Sequence, residues 1–149
     1  MINRFSRWSE VVPLKDINVD AVATGSTFYA TWIARFDAPS TITTNRDAQF
    51  ESQLFNTLTK LTGCRHIRTT AYHPVSNVII ERWHISLKAA IRFHENKNWL
   101  KVLPAVMLDL RNSYKEDMQT TAAEMVHGTL LRLLGEFLSL TTILIQISI

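Results

Sequence analysis

Apolar positions along the chain set out an alternation of strands and helices. "MINRFSRW" and "SEVVPLKD" read as two strands, with Pro13 suited to an edge or a strand end. From Val19 to Phe36 the residues Val22, Tyr29, Trp32, Ile33 and Phe36 fall on one helical face, and Asp16 or Asn18 is placed to cap that helix. Gly25 lies inside it, at a cost of about 1 kcal/mol relative to Ala. "APSTITT" is a short β-branched strand. "QFESQLFNTLTKLTG" carries Phe50, Leu54, Phe55, Leu58 and Leu61 at helical spacing and stops at Gly63. "CRHIRTTAYHP" reads as a further strand ending at Pro74. Ser76 or Asn77 caps a long helix to about His94, and Asn98 caps "WLKVLPAVMLDLRNSY". Thr120 or Thr121, followed by Glu124, starts a last short helix through a capping box. Ahead of that last short helix, the order strand, strand, helix, strand, helix, strand, helix, helix predicts an α/β fold with crossover connections.

Composition narrows the class. The 149 residues, 46% hydrophobic and 19% charged, suit one globular domain with a modest core. A single cysteine, Cys64, excludes an internal disulfide framework and a cysteine-based zinc cluster. The N-terminus has no apolar signal core, so a nuclear or cytoplasmic location is expected and secretion is not. The C-terminal "FLSLTTILIQISI" is too short and too interrupted to span a bilayer, so no membrane partner is expected. Residues 138–149 are strand-like in composition without turn or capping signals. They read as a tail outside a domain of residues 1–137.

The net charge of +3 is unevenly spread. Residues 45–101 hold 9 basic and 4 acidic side chains, net +5, with four of the five histidines. The flanking segments are neutral (residues 1–44) and net −2 (residues 102–149). A basic middle third suits a phosphate-bearing partner or, equally, a solvated helix face.

Four stretches carry a resemblance: "NRFSRWSEVVPLKD", "TWIARFDAPSTITTNRDAQFES", "TAYHPVSNVIIERWHISLKAAI" and "AAEMVHGTLLRLLGEF". In unbroken order over residues 1 to about 137, they resemble the integrase core of Ty3/gypsy-type LTR retrotransposons. The resemblance implies a ribonuclease-H-like mixed sheet flanked by helices. It also implies metal-assisted DNA strand transfer by two Asp and one Glu around Mg²⁺. Attack at phosphorus builds negative charge on oxygen, and a metal pair about 4 Å apart stabilises the entering and leaving oxygens. Carboxylates are the hard ligands such ions take.

Matched position by position, the motifs have decayed. The family's "TDxGxQF" stands here as "TNRDAQF", so Asn45 occupies the place of the second Asp, and Asp47 stands where the family has Gly. The family's "SNGxxER" is "SNVIIER", which aligns Glu81 with the catalytic Glu, with 35 residues (46 to 80) separating it from Asn45. The first Asp belongs to a strand upstream of "NRFSRW", so the first, central strand is expected to be missing. Glu81 would then be the only surviving ligand, with Mg²⁺ not bound. One lost unit charge at 4 Å is worth roughly 4 kcal/mol near a surface. Val78 replaces a Gly at the helix entrance, Ile85 an Arg, and Leu134 a Pro.

Function is therefore expected to be that of a degenerate integrase core, inactive as a metal-dependent strand transferase. It keeps DNA as a weak, non-specific partner and homo-oligomerisation as in the family. The alternatives are a domesticated DNA- or protein-binding module, and an active integrase if an upstream segment supplies the missing acid. Lys88, on the same helix face as Glu81, together with Arg82, Tyr72 and His73, are the candidate nucleic-acid contacts. Read blandly, Arg82, Lys88 and Arg92 are solvated, Tyr72 and His73 are half-buried at a strand end, and Trp83 and Trp99 are core. His66, His73, His84 and Cys64 lack zinc-ligand spacing.

Overall fold

The helical stretch before residue 37 does form in the computed structural model of the chain, which describes residues 1–14, 21–69, 78–95 and 98–133. It runs as α1 (Ala21–Phe28), a π-helical turn (Tyr29–Ile33) and α2 (Ala34–Phe36). The extra residue of the π turn rotates the face relative to a 3.6 period. Its buried line is Gly25, Phe28 and Trp32, while Val22, Tyr29 and Phe36 are exposed, so the expected stripe is displaced.

β1 (Thr41–Thr44) follows and pairs in parallel with β2 (Arg65–Arg68), Thr41 opposite Arg65 and Thr44 opposite Arg68. Between them the chain makes α3 (Ala48–Glu51) and α4 (Gln53–Leu61), two helices where the periodicity predicts one. The cause is Ser52, whose backbone is extended. Its hydroxyl donates to the Gln49 carbonyl at 2.8 Å and accepts from the Phe55 N–H at 3.1 Å, closing one helix and capping the next. Of the apolar residues expected on one face, Phe55 is almost fully buried, but Leu54 and Leu61 are exposed. Gly63, at φ +72°, ends α4 as expected.

α5 (Val78–Phe93) is a single helix with Trp83 and Leu87 buried. Val78 lies in its first turn and has no positive φ, so the entrance does not need glycine here. α6 (Trp99–Asn112) contains Pro104 and buries Leu103, Val106 and Met107. Asn98 precedes it without a side-chain cap bond, and Trp99 is 42% exposed, so neither the cap nor the core role predicted for them is found. A small antiparallel pair that the sequence did not suggest, β3 (Tyr114–Lys115) with β4 (Thr120–Thr121), leads into α7 (Ala122–His127).

The two expected N-terminal strands are reduced to one antiparallel bridge, Ile2 with Ser9. The Asn3 side chain accepts from the Phe5 and Ser6 N–H groups, each at 2.9 Å, and Arg7 adopts φ +59°, so the segment is a tight turn and not a strand. The predicted caps Asp16, Asn18, Ser76 and Asn77, and the tail, lie outside the described residues.

The chain divides into two compact units, Met1 with Glu10–Ile85 and Ile2–Ser9 with Ser86–Ile149. The first centres on Phe55, whose ring lies 6.1 Å from Phe28 and 5.3 Å from Phe50, over the parallel strand pair. The second centres on Val106, Met107, Ala122, Ala123 and Trp8. There the Arg111 guanidinium lies 4.3 Å over the Trp8 ring and donates twice to the Ser9 carbonyl, at 3.2 and 2.9 Å.

Candidate functional site

β1 passes from exposed Thr41 to buried Thr44, and the chain then turns through Asn45, Arg46 and Asp47 into α3. Asn45 is exposed. Its amide nitrogen donates to the Asp47 carboxylate at 2.7 Å, and its amide oxygen accepts from the Asp47 N–H at 3.4 Å. This is an Asx-type turn, in which a side chain replaces a backbone turn bond. Both ends of the amide are thus engaged within the turn.

The turn is tied back to β2. The Thr44 hydroxyl donates to the Asn45 carbonyl at 2.8 Å and lies 2.8 Å from His66 Nε2. The other ring nitrogen of His66, Nδ1, is buried with no partner. Burial, and then the Arg68 charge, lower the His66 pKa below its ordinary value, with Glu51 opposing. Arg68 donates to Glu51 at 2.7 Å and to Asn56 at 2.9 Å. These groups, with Lys60 and Cys64, line an open depression of about 710 Å³.

Glu81 stands in the first turn of α5, exposed, with Arg82 beside it. Among the described residues no hydrogen bond or ion pair links Glu81 to the Asn45 turn. Ile85 (68% exposed) and Lys88 are also exposed on α5. Tyr72 and His73 lie outside the described residues. Within those residues no three His, Cys, Asp or Glu side chains are grouped to hold a metal ion, and no helix is long and apolar enough to cross a membrane.

Comparison with solved structures gives this arrangement a context. A chain of the simian T-cell lymphotropic virus intasome, solved in complex with the PP2A regulatory subunit B56 gamma, superposes with a TM-score of 0.73 at 22% identity. The match covers 88% of this chain and 48% of that one. The HTLV-2 integrase catalytic core domain, in a trimeric form with magnesium, gives a TM-score of 0.69 at 18% identity, over 85% of this chain and 81% of that one. The fold is that of a retroviral-type integrase core.

The sequence agrees in part. It is 28% identical over 120 residues to the Gag-Pol polyprotein of Walleye dermal sarcoma virus, a match over 78% of this chain and 7% of the polyprotein. The chain therefore spans a small fraction of that relative. No family model matches the sequence.

Within this integrase-core fold, the Asn45 turn that the sequence motif singles out is held by contacts that sequence reading misses. Thr44 and His66 are 22 residues apart in sequence. They meet only because β1 and β2 pair in parallel with Ile42 opposite His66. The one signal available is a histidine in a strand otherwise exposed and basic, and a single sequence does not carry register.

Proposed function

We propose that the chain is a degenerate retroelement integrase core of Ty3/gypsy type, a DNA-binding fold that does not transfer strands. The observation that carries this reading is Asn45. At the position where the motif calls for a metal-binding Asp stands a neutral amide, and both its polar ends are engaged with Asp47. A magnesium pair needs several anionic oxygens close together. An amide committed to its neighbour, together with one exposed Glu81, does not fit that requirement, and no chemical step is assigned to the metal. An intact upstream segment would leave Asn45 unchanged, which weighs against an active form of this chain.

DNA contact is assigned to α5, where Arg82 and Lys88 are exposed near Glu81 in sequence. Binding through phosphates is sequence-independent, and its logarithm falls linearly with the logarithm of salt. Self-association is expected on the pattern of the trimeric HTLV-2 core.

The test is direct. Purified chain with Mg²⁺ or Mn²⁺ and a retroelement-end duplex is expected to give no 3′ processing and no strand transfer. It is also expected to bind duplex DNA weakly, with Lys88→Ala lowering affinity several-fold and flattening the salt slope by about 1. Metal-dependent product that disappears in Glu81→Gln overturns the catalytic part. Binding indifferent to salt, or to Lys88→Ala, overturns the DNA part.

A further inference from the structure

We infer that His66 is the positioning residue of the Thr44–Asn45 turn, and that its neutral, Nε2-protonated form is the latch that holds the turn closed. This concerns the turn itself and stands whether or not the turn meets DNA.

The tautomer follows from counting protons. The Thr44 hydroxyl has one hydrogen, and the Asn45 carbonyl 2.8 Å away can only accept it. The Thr44 oxygen is then left to accept, so His66 Nε2, 2.8 Å away, must be the donor. One hydroxyl thus joins β2 to the first residue of the turn, and that turn leads into α3. The neutral ring carries no second hydrogen, which leaves Nδ1 a bare lone pair, buried and without a donor.

Adding a proton at Nδ1 changes the balance. It would bury an N–H without an acceptor and a positive charge beside Arg68 on β2. Glu51, at the end of α3, is the nearby anion, but Arg68 already holds it at 2.7 Å. Lys60, from α4, adds another positive charge to the same depression. The Phe55 ring, 5.4 Å from the imidazole centroid, offers no acceptor oxygen. The charged ring is therefore better accommodated in solvent, and leaving releases Thr44.

The direction agrees with the lowered His66 pKa, caused first by burial and then by Arg68. The unfolded chain takes up its proton near the ordinary value of 6.5 and the folded chain only below it. The latch thus contributes fully above 6.5, and its contribution is lost as pH falls from there through the folded value.

The experiment uses the whole chain. Long-range proton–nitrogen spectra of the imidazole at pH 7.5 are expected to show Nε2 protonated and Nδ1 bare. Amide-exchange protection over residues 46–51, expressed relative to intrinsic rates, is expected to fall several-fold between pH 7.5 and 5.5. His66→Gln keeps an amide donor that does not titrate, so it is expected to retain protection at both pH values. Thr44→Val removes the shared hydroxyl and is expected to show low protection at both. An Nδ1-protonated tautomer, wild-type protection equal at the two pH values, or unchanged pH dependence in His66→Gln each overturns the inference. If a variant does not fold, the wild-type tautomer and protection decide alone.

Discussion

Gly25 is buried where α1 meets α4, a place that suggests a glycine kept for close approach. In a helix it costs about 1 kcal/mol against Ala, so close approach would have to repay that cost. The space around it shows no such need. An added Cβ would lie 3.7 Å from Leu58 Cδ2 and 3.9 Å from Leu54 Cδ2, which is ordinary contact, and the backbone needs no positive φ. Gly25→Ala is therefore expected to stabilise the chain by about 0.5–1 kcal/mol. In a thermal scan that is a rise of about 1–4 °C for a domain of this size; a fall would mean that the helices sit closer than these distances state. At the same scale Asn45 is legible in the sequence, because a motif with fixed spacing names its position and an Asx turn is a local property. Trp99 is not legible, since a large apolar side chain reads as core in any sequence and only packing shows that it stays 42% exposed.

Among the elements, legibility follows how local the determinants are. The capping box of α7 can be read from the sequence because all its bonds close within four residues. Thr121 Oγ1 accepts from the Glu124 N–H at 3.1 Å, and the Glu124 carboxylate accepts from the Thr121 N–H at 3.0 Å. Gly128, at φ +74°, ends the same helix. The split between α3 and α4 is hidden because Ser52 is compatible with a helix interior, and its capping role emerges only once the backbone has turned extended there. The N-terminal segments read as strands but do not form them, because alternation alone does not provide a pairing partner. Thr121→Ala is accordingly expected to cost about 0.5–2 kcal/mol. Glu124 adds a pH signature: bonds from the Thr121 N–H and from the Thr120 and Thr121 hydroxyls hold its carboxyl below the ordinary value of 4.5. A carboxyl depressed by folding stabilises above its unfolded pKa and loses that contribution as pH falls through the folded one. Glu124→Gln should therefore differ from the parent at pH 7 and approach it as pH falls below 4.5, as urea midpoints along that series will show. A gap that does not narrow as pH falls would mean the carboxylate charge is not what the cap uses.

For the molecule as a whole, the alternation of strands and helices gives the class of fold, and the integrase-core comparison bears it out. The extent of the sheet is not legible, because strand pairing depends on contacts distant in sequence. Among the described residues the sheet is two pairs of two strands, and β1 pairs only with β2. In a parallel strand alternate residues bond to opposite sides. Ser40 and Thr44 bond to the β2 side through their carbonyls, which turns the backbone groups of Thr41 and Thr43 the other way. A parallel pair of four-residue strands is not stable alone and depends on the helices that cover it. Large apolar side chains also stand open, with Phe93 at 86%, Leu61 at 82% and Phe5 at 80% exposure, and exposed apolar surface favours association. A domain of this size has only about 5–15 kcal/mol of stability to lose. We therefore expect poorly cooperative unfolding in which helices outlast tertiary packing. In urea, the near-ultraviolet signal of the buried Trp8, Trp32 and Trp83 should fade at lower denaturant than the far-ultraviolet helix signal. Light scattering should rise with protein concentration in the interval between the two. A single sharp transition seen coincidently by both probes, from a monomer, would show that the β1 edge is satisfied and the core complete. Such a result would favour a domesticated binding module over a decayed copy, because a fold that retains full cooperativity has retained the side chains that maintain it.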